Sequence, residues 1–479
     1  MAKYDYNMVA IGAGSAGLVT AYICAATKAK VALIEKNKMG GDCLNTGCVP
    51  SKALIRSARF MKDVKMAQAL GFKNVTVDFD FADVMERVQR VIKTIEPHDS
   101  IERYTSLGVE CIVGEAFIQS PHEVQVNGKI LTTKNITIAT GAGPLVPPIE
   151  GLKNIPYYTS ENIWNLREKP KKLLVLGGGA IGSELAQAFS RLGIEVIQVE
   201  KGERLLQKED PEFSDMVLES FQREGIKVLL NHEAKKFLKD ENKNILICDH
   251  NGEQVKLEFD TALIALGRKP NTKGFGLEEL GVELNKNGTI KVDDYMRTLK
   301  YKNIYACGDV AGPYQFTHVA SHQAWYCSVN SMLKPFWGFK SDYRVIPWAT
   351  YTDPEIARVG LNESEAKEKG IAYELTTYGI DDLDRAIADE AAYGMVKVLT
   401  VPGKDTILGV TIAGSHAADI ISEYVAAMKH GFGMNKILGT IHIYPTLSEA
   451  NKYAAGNWKK SQVSRSALKW GERLNRWRR

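Results

Sequence analysis

YNMVAIGAGSAGLVTAYICAATKAKVALIEK, residues 6–36, is the stretch that decides the fold. An apolar run leads into Gly12-x-Gly14-x-x-Gly17, a helical stretch follows, and a second apolar run ends at Glu35, 23 positions after Gly12. This order predicts the strand–turn–helix–strand unit that binds dinucleotides. Gly12 would allow the tight turn, Gly14 the approach of a pyrophosphate, and Gly17 close packing of helix on strand. Glu35 is placed to accept hydrogen bonds from ribose hydroxyls.

A second copy of this unit occupies residues 171–201, KKLLVLGGGAIGSELAQAFSRLGIEVIQVEK. Its glycines are Gly177, Gly179 and Gly182, and its acid, Glu200, again lies 23 positions after the first glycine. An internal repeat of a binding unit predicts that the chain binds two dinucleotides.

The bulk composition sets the class of protein. A chain of 479 residues with 44% hydrophobic and 25% charged residues predicts a globular protein of two or three domains. A net charge of only +4 argues against general binding to nucleic acid. The uncharged stretch 8–27 has the length of a membrane span, but its glycine fingerprint favours a strand, a turn and a helix. No secretory signal is expected. Seven cysteines without a regular framework fit a cytoplasmic chain with free thiols and one working pair.

Cys43 and Cys48 lie in GGDCLNTGCVPSKAL, directly after the first unit. Zinc is not expected, because no second Cys/His pair at zinc spacing follows, and no other metal site is predicted. A disulfide cannot take a hydride from nicotinamide without a relay, whereas a flavin can accept the hydride and pass electrons to a thiol. The first unit should therefore hold FAD and the second a nicotinamide nucleotide.

The chain resembles the flavin-dependent pyridine nucleotide–disulfide oxidoreductases, the group of dihydrolipoamide dehydrogenase, glutathione reductase and mercuric reductase. The resemblance extends to about residue 458. Its motifs stand in family order: GAGSAG, GGDCLNTGCVPSK, IATG (138–141), GGGAIGSE, ALGRKPN (265–271), ACGD (306–309) and YPTLSE (444–449).

The resemblance implies an α/β fold with two Rossmann-like dinucleotide-binding domains, as in glutathione reductase, and a C-terminal α+β dimerisation domain. A homodimer is expected. The expected limits are a split FAD domain at 1–148 and 270–343, a nicotinamide domain at 149–269, a dimerisation domain at 344–458 and a basic tail at 459–479.

The resemblance also implies roles for individual residues. Cys43 and Cys48 would form the redox-active disulfide, with Cys48 against the flavin as the charge-transfer thiolate and Cys43 facing the substrate. Lys52 would pair with Glu184 and stabilise electrons arriving at the flavin. Asp309 would bond the flavin's ribityl or phosphate side, and Arg268 would mark the return to the FAD domain. The remaining FAD contacts would come from Lys36, Gly41, Ala116, Thr140 and Gly141.

One motif departs from the family pattern. Members that handle dithiols carry a histidine before the Pro-Thr of the last motif, where this chain has Tyr444; the orienting glutamate, Glu449, is retained. A tyrosine with a pKa near 10 is a poor base at neutral pH, so turnover of lipoamide or glutathione should be weak. His442 either substitutes as the base or is a packed histidine.

Tyrosine near this position is similar to mercuric reductases. Those enzymes also use a C-terminal cysteine pair, whereas this chain has no cysteine after Cys327. The route for handing over mercury is therefore missing. The acceptor stays open among a small disulfide, a metal ion, a quinone and a protein, and a redox-controlled docking module is a further alternative. Glu200 favours NAD(H) over NADP(H), although Lys201 and Arg204 follow closely.

The C-terminal residues 457–479, NWKKSQVSRSALKWGERLNRWRR, carry eight Lys/Arg and one Glu. At helical spacing Val463, Ala467, Trp470, Leu474 and Trp477 form one apolar stripe. Such a helix either packs on the dimer with a solvated basic face or lies on an anionic membrane, which would make the protein membrane-peripheral.

Overall fold

Three principal sheets organise the chain, and the computed structural model describes them over residues 4–240 and 243–479. Two of these sheets are built on the two glycine fingerprints, and the third is antiparallel and C-terminal. The predicted fold class, two Rossmann-like domains followed by an α+β domain, is confirmed. The domain limits given above stay predictions.

The first sheet has a parallel centre and an antiparallel edge. Strand Tyr6–Ile11 pairs in parallel with Val31–Glu35 on one side and with Lys129–Ile138 on the other. Its apolar run is buried on both faces, as expected of a central strand in a parallel sheet. The remaining strands are Val109–Val113, Phe117–Ser120, Glu123–Val126 and Ile304–Ala306. The helices of this part are Ser15–Ala26, Gly41–Asn45, Cys48–Lys65, Phe81–Ile95, Ile101–Ser106, Leu277–Leu280 and Thr317–Leu333, with a 3₁₀ turn at Glu96–Asp99.

The first sheet is completed by residues far along the chain. Strand Ile304–Ala306 pairs in parallel with Lys129–Ile138, so the chain leaves this sheet and later returns to it. Two short antiparallel strands, Ala142–Pro144 and Arg268–Pro270, lie side by side where it leaves and returns. The second sheet is thus an insertion in the first unit.

The second sheet repeats the parallel pattern of the first. Strand Lys172–Leu176 lies between Glu195–Val199 and Thr261–Ile264. Lys227–Leu229 and Tyr157–Tyr158 complete the edges. An antiparallel sheet of Glu233–Asp240, Lys243–His250 and Glu253–Phe259 adjoins it. The helices are Ala180–Arg191 and Pro211–Arg223, with 3₁₀ turns at Leu152–Asn154 and Ile163–Asn165.

The C-terminal sheet is antiparallel throughout. Its strands in spatial order are Pro347–Thr350, Glu355–Gly360, Ile407–Gly414, Met395–Thr400 and Glu374–Gly379. The helices of this part are Glu363–Glu368, Asp384–Ala388, Ala417–Ile420, Ser422–His430, Met434–Gly439, Glu449–Ser461 and Arg465–Arg478, with a 3₁₀ turn at Ile380–Asp382.

The uncharged stretch 8–27 forms the end of strand Tyr6–Ile11, a turn and the helix Ser15–Ala26, as the fingerprint predicts. Of the helices in the described ranges, none has both the length and the apolar run that crossing a bilayer requires.

The C-terminal stripe differs from its prediction. Helix Glu449–Ser461 ends before Val463, and a new helix, Arg465–Arg478, starts after the Ser464 side chain caps the backbone amide of Ala467. Val463 therefore lies outside the second helix. Along Arg465–Arg478 every side chain is exposed or half-exposed, so the stripe faces solvent in the single chain. Trp458, in contrast, is buried in the core of the C-terminal domain.

Candidate active site

The first fingerprint has the geometry that its three glycines predict. Gly12 has φ of +98°, and a Cβ there would lie 2.5 Å from the carbonyl oxygen of Ala139. A Cβ at Gly17 would lie 1.7 Å from the oxygen of Gly12, so helix and strand touch through backbone alone. Gly14 instead opens onto free space, with its nearest neighbour 3.8 Å away. The backbone is thus closed at two positions and accessible at the third, where a pyrophosphate would approach.

The second fingerprint repeats this arrangement. A Cβ would lie 2.3 Å from the oxygen of Ala265 at Gly177 and 2.2 Å from the oxygen of Gly177 at Gly182. A Cβ at Gly179 would have no neighbour within 4 Å. Two matching cradles therefore fit two dinucleotides.

The acids that end the two fingerprints are held in the same way. Glu35 accepts hydrogen bonds from the backbone N–H groups of Ala13 (2.6 Å) and Asn37 (2.8 Å). Glu200 accepts from those of Gly178 and Gly202, both at 2.6 Å. Each carboxylate is thereby fixed beside its glycine loop and keeps lone pairs for a ribose diol.

The cysteine segment lies directly on the first glycine loop. Gly41 has φ of +57°, and a Cβ there would lie 2.5 Å from the Cα of Gly14. The short helix Gly41–Asn45 carries Cys43, and Cys48 is the first residue of the helix Cys48–Lys65. Both cysteines are free thiols in this structure, Cys48 exposed and Cys43 half-buried. The pair is therefore positioned where a flavin bound to the loop would be close.

The two thiols are unequal. The pKa of Cys48 is lowered to about 6, first because Cys43 donates a hydrogen bond to its sulfur, and further by Thr317 and by the charge of Lys52. The same hydrogen bond, together with burial, raises the pKa of Cys43. The Oγ1 of Thr317 lies 3.4 Å from the Sγ of Cys48. This difference favours Cys48 as the thiolate and Cys43 as the thiol, the assignment that the family resemblance implies.

Lys52 lies one turn after Cys48 on the same helix. Its ammonium makes an ion pair of 2.7 Å with Glu184, which is 93% buried at its side chain on the first helix of the second unit. The second carboxylate oxygen of Glu184 accepts from the backbone N–H of Tyr351 (2.9 Å), whose ring lies 4.2 Å from the Lys52 ammonium. The charge beside the cysteine pair is therefore fixed by all three parts of the chain.

Arg268 joins the cysteine segment to the ACGD motif. Its guanidinium lies 2.7 Å from Asp42 and 3.3 Å from Asp309, and it donates to the carbonyl of Ala142 at 2.6 Å. Burial raises the pKa of Asp309, although the charge of Arg268 opposes this effect. Arg268 is thus a structural bridge at the return to the first unit.

The other residues predicted to contact FAD are less closely connected to the cysteine pair. Thr140 donates to the carbonyl of Asn271 (2.7 Å), and the carbonyl of Gly141 accepts from the Asn271 N–H (3.0 Å). These two hydrogen bonds join the IATG motif to the ALGRKPN motif. Lys36 is exposed after its strand, and Ala116 is half-buried against the core of the first unit. None of these residues is hydrogen-bonded to the cysteine pair within residues 4–240 and 243–479.

Tyr444 and Glu449 lie in the C-terminal domain, and in the described parts of the single chain no hydrogen bond joins them to Cys43 or Cys48. The Tyr444 hydroxyl donates to Asp384 at 2.9 Å, and this hydrogen bond raises the pKa of Tyr444. Glu449 is buried and accepts from the backbone N–H of Thr446 at 3.2 Å. Tyr444 is 66% exposed, as are its neighbours Ile441 (95%) and Ile443 (79%), which suits a surface that another subunit covers.

His442 is a packed residue. Its Nε2 lies 3.0 Å from Glu423, and its Nδ1 lies 3.0 Å from the carbonyl of Thr440. Both ring nitrogens therefore face acceptors of the C-terminal domain, and neither is hydrogen-bonded to the cysteine pair in the described residues. The geometry favours the packed histidine over the substitute base.

Three residues of the site were missed by sequence reasoning. Asp42 lies inside the GGDCLNTGCVPSK motif, next to Cys43, and Thr317 follows ACGD, but only the fold brings Thr317 to Cys48 from 269 positions away. Tyr351 lies in no motif at all. The signal that could have found Thr317 is its place as the first residue of the helix after ACGD, because helix N-termini lie at such sites.

Comparison with known proteins agrees with this geometry. Residues 6–324 match the family described as pyridine nucleotide-disulphide oxidoreductase, and residues 346–455 match its dimerisation domain. A mercuric reductase of Staphylococcus aureus is 33% identical over 94% of this chain and 82% of its own length. A dihydrolipoyl dehydrogenase of Chlamydia pneumoniae is 34% identical over 93% of this chain and 95% of its own.

Among solved structures, a similar one is the Cu(II) complex of the HOCl-induced flavoprotein disulfide reductase RclA from Escherichia coli. It superposes with a TM-score of 0.83 and 28% identity, over 93% of this chain and 98% of that one. LpdA from Mycobacterium tuberculosis superposes with a TM-score of 0.84 and 25% identity, over 94% and 99%.

Proposed function

Because the chain belongs to the pyridine nucleotide-disulphide oxidoreductase family, we propose that this FAD-dependent enzyme passes electrons from NADH through Cys43 and Cys48 to a thiophilic metal ion. The observation that carries the proposal is Tyr444. It stands where dithiol-handling members have their acid–base histidine, and its hydroxyl is bonded to Asp384. A metal ion needs no proton transfer from this position, whereas a dithiol does.

The thiols suit such an acceptor. Soft metal ions, including the Cu(I) that the reduction would produce, prefer thiolate ligands, and Cys48 is exposed and has a lowered pKa. Relatives whose names mention metals support this choice: mercuric reductases, and RclA in a complex with Cu(II). Because a solved structure similar to this chain is a Cu(II) complex, we propose Cu(II) as the acceptor.

The balance for this acceptor is one NADH and two Cu(II) to NAD⁺, two Cu(I) and one proton. FAD held at the first glycine loop would supply acceptance of the hydride and transfer of an electron pair to the disulfide. The chain's own residues then hold the products of that transfer. Lys52, fixed by Glu184, offsets the negative charge that accumulates, Cys48 carries the thiolate, and Cys43 carries the thiol that meets the acceptor.

We propose NAD(H) as the nucleotide. Glu200 is fixed beside the second glycine loop, where its charge would repel a 2′-phosphate. The two cations that follow are already engaged, Lys201 with Glu233 at 2.9 Å and Arg204 with Glu203 at 3.2 Å. Neither is free to bind a phosphate without giving up its carboxylate.

The dimerisation domain supports a homodimer. The exposed segment around Ile441 and Tyr444 is the surface that we propose to face the partner subunit. We further propose the cytoplasm as the compartment, since free thiols stay reduced there.

For the C-terminal helix Arg465–Arg478 we propose a peripheral contact with anionic membranes. Trp470 and Trp477 are 67% and 81% exposed on a helix rich in arginine. The test is co-sedimentation with anionic vesicles of the full chain and of a chain ending at Gln462. This cut keeps the buried Trp458, so the core of the C-terminal domain is retained. Equal, negligible pelleting of the two chains would remove the proposal.

An acceptor comparison tests the proposed reaction. Anaerobic NADH oxidation by the holoenzyme is measured with Cu(II), with lipoamide and with a water-soluble quinone. The proposal expects fast Cu(II) reduction, two Cu(I) per NADH, and slow lipoamide turnover. Fast turnover of lipoamide or quinone with slow Cu(II) reduction would contradict it.

A further inference from the structure

A loop of exposed aromatic residues projects from the first unit, far from the cysteine pair. This aromatic loop, residues 333–339 (LKPFWGF), follows the helix Thr317–Leu333. Phe336 is 88% exposed and Trp337 is 73% exposed. Large apolar side chains presented together at a surface mark an interaction site, and tryptophan is favoured at the boundary between water and membrane.

The aromatic loop is held by a buried scaffold. Asn330, which is fully buried, accepts from the N–H of Phe339 (2.7 Å) and donates to its carbonyl (2.9 Å). The same amide donates to the carbonyl of Tyr295 at 3.1 Å, and the Lys334 ammonium lies 3.7 Å from the centre of the Tyr295 ring. Because its base is fixed, the loop presents Phe336 and Trp337 outward.

A basic cavity adjoins the loop. It measures about 540 Å³ and is lined by the four cations Lys134, Arg297, Lys302 and Lys334, with Pro335 of the loop at its rim. Its lining contains no carboxylate among the described residues. Asp293 pairs with Arg297 at 2.8 Å and with Lys302 at 3.5 Å. Lys134 forms no ion pair within residues 4–240 and 243–479. The cavity is thus a concave positive site beside two exposed aromatic side chains.

We propose that the aromatic loop and the basic cavity together form a docking surface for an anionic phospholipid membrane. Phe336 and Trp337 would enter the interfacial layer, and the cavity would take an anionic headgroup. Charge complementarity selects this partner, because an anionic headgroup can pair with Lys134 and with Arg297 and Lys302, which share the single carboxylate of Asp293. The proposal is independent of the acceptor and of the C-terminal helix.

The position of this surface is compatible with catalysis. Thr317 at the start of its helix lies beside Cys48, and the loop begins at the other end of that helix. A helix of 17 residues is about 25 Å long. Membrane docking at the loop would therefore leave the cysteine pair uncovered.

Vesicle binding by the full-length holoenzyme tests the proposal. The probes are vesicles of phosphatidylcholine mixed with phosphatidylserine and vesicles of pure phosphatidylcholine. Binding is expected only to the mixed vesicles. Phe336→Ser should weaken it by about tenfold, and the pair K134E and K302E by at least about tenfold. All proteins keep the C-terminal helix, so its contribution is constant.

Matched substitutions elsewhere separate docking from a general loss of apolar area or charge. Phe72 is another exposed phenylalanine (62%), and Lys227 and Lys256 are exposed lysines on the second unit. F72S and the pair K227E and K256E should bind the mixed vesicles as the unaltered protein does. NADH-dependent flavin reduction should be unchanged in every variant, which shows that each is folded.

Four results would overturn the proposal. One is the absence of binding to mixed vesicles, and another is equal weakening by the loop variants and their controls. The third is that F336S abolishes concentration-dependent self-association rather than vesicle binding, which would assign the loop to a second copy of this chain. Binding of inorganic phosphate in the cavity with no effect of F336S on vesicles would assign it to a small anion and would equally contradict membrane docking.

Discussion

The ammonium of Lys52 lies 2.7 Å from the carboxylate of Glu184, so one ion pair connects the helix of the redox cysteines to the first helix of the second nucleotide unit. Glu184 is almost fully buried there, and Tyr351 donates to its other oxygen. The position of the positive charge beside Cys48 therefore depends on a residue 132 positions away.

Glu184→Gln should slow the reduction of the flavin by NADH about ten- to a hundredfold. The substitution keeps the shape of the side chain but removes the charge that fixes Lys52, and preorganised charges of this kind contribute such factors. Anaerobic rapid mixing with NADH measures the rate. The control is Glu195→Gln, which also removes a lysine partner, Lys172, but at an exposed site, and it should have no effect. Equal rates in the two variants would show that the Lys52–Glu184 pair is only structural.

The reduced enzyme should show a thiol that ionises near pH 6. The pKa of Cys48 is lowered to about 6, so the thiolate is the major form above that pH and is protonated below it. The rate of alkylation of the reduced enzyme should rise through pH 6 and level off by neutral pH. Thr317→Val should move the midpoint upward because it removes a hydrogen bond to the sulfur, whereas Thr317→Ser should not. A midpoint near 9 in the unaltered enzyme would contradict the assignment of Cys48 as the thiolate.

Tyr444→His should raise dihydrolipoamide turnover by about a hundredfold, the contribution of a positioned general base. Glu449 is already buried beneath this position and is available to orient an imidazole. Steady-state NAD reduction by dihydrolipoamide measures the gain, and Tyr444→Phe is the control, expected to stay as slow as the unaltered enzyme. Brisk dithiol turnover before any substitution would mean that another group supplies the base.

Asp353 should make the free energy of unfolding fall as the pH is lowered. It is largely buried, and burial opposes its charge, yet Arg191 at 2.8 Å and Lys62 hold the pKa of Asp353 well below its usual range. A carboxyl whose pKa is lower in the folded chain stabilises it above the unfolded value near 4, and this contribution is lost as the pH falls through the folded value. Unfolding by urea between pH 7 and 3 should therefore show a falling midpoint. Asp353→Asn should be less stable at pH 7 and should change less with pH; a parallel pH profile would refute the role of Asp353.

Lys397→Met should lower the free energy of unfolding by about 3–5 kcal/mol, the cost of breaking a buried ion pair from one side. Lys397 is 1% exposed, and its ammonium lies 2.9 Å from the equally buried Asp210 and 2.5 Å from Glu363. Without the Lys397 ammonium, the carboxylates of Asp210, Glu212 and Glu363 would face one another. The oxygens of these three residues lie close enough together to resemble a metal site. Lys367→Met is the control, since Lys367 also pairs with Glu363 but is 68% exposed. The free energy of unfolding of this variant should change little. Urea unfolding curves of the two variants decide the matter.

The sequence was sufficient for the two nucleotide units, because glycine spacing and a terminal acid are local features. Gly12, Gly17 and their counterparts make the close approaches that their positions predict. It was not sufficient for the contacts of Thr317 with Cys48, of Tyr351 with Lys52 and of Asp42 with Arg268, because these contacts form only in the tertiary fold. The predicted apolar stripe of the C-terminal helix is also wrong at one position. It includes Val463, whereas Ser464 caps a separate helix that starts at Arg465.

The most direct test of the central claim is NADH-dependent Cu(II) reduction by the holoenzyme and by Cys43→Ser, followed anaerobically with a Cu(I)-specific chelator. Cys43 is half-buried beside an exposed Cys48, so the variant should keep its fold and its reduction of flavin by NADH. The account predicts two Cu(I) per NADH for the unaltered enzyme and a loss of at least about tenfold in the variant, because soft metals need the thiolate pair. Unchanged Cu(II) reduction in Cys43→Ser would contradict it and would take the cysteine pair off the path to the metal.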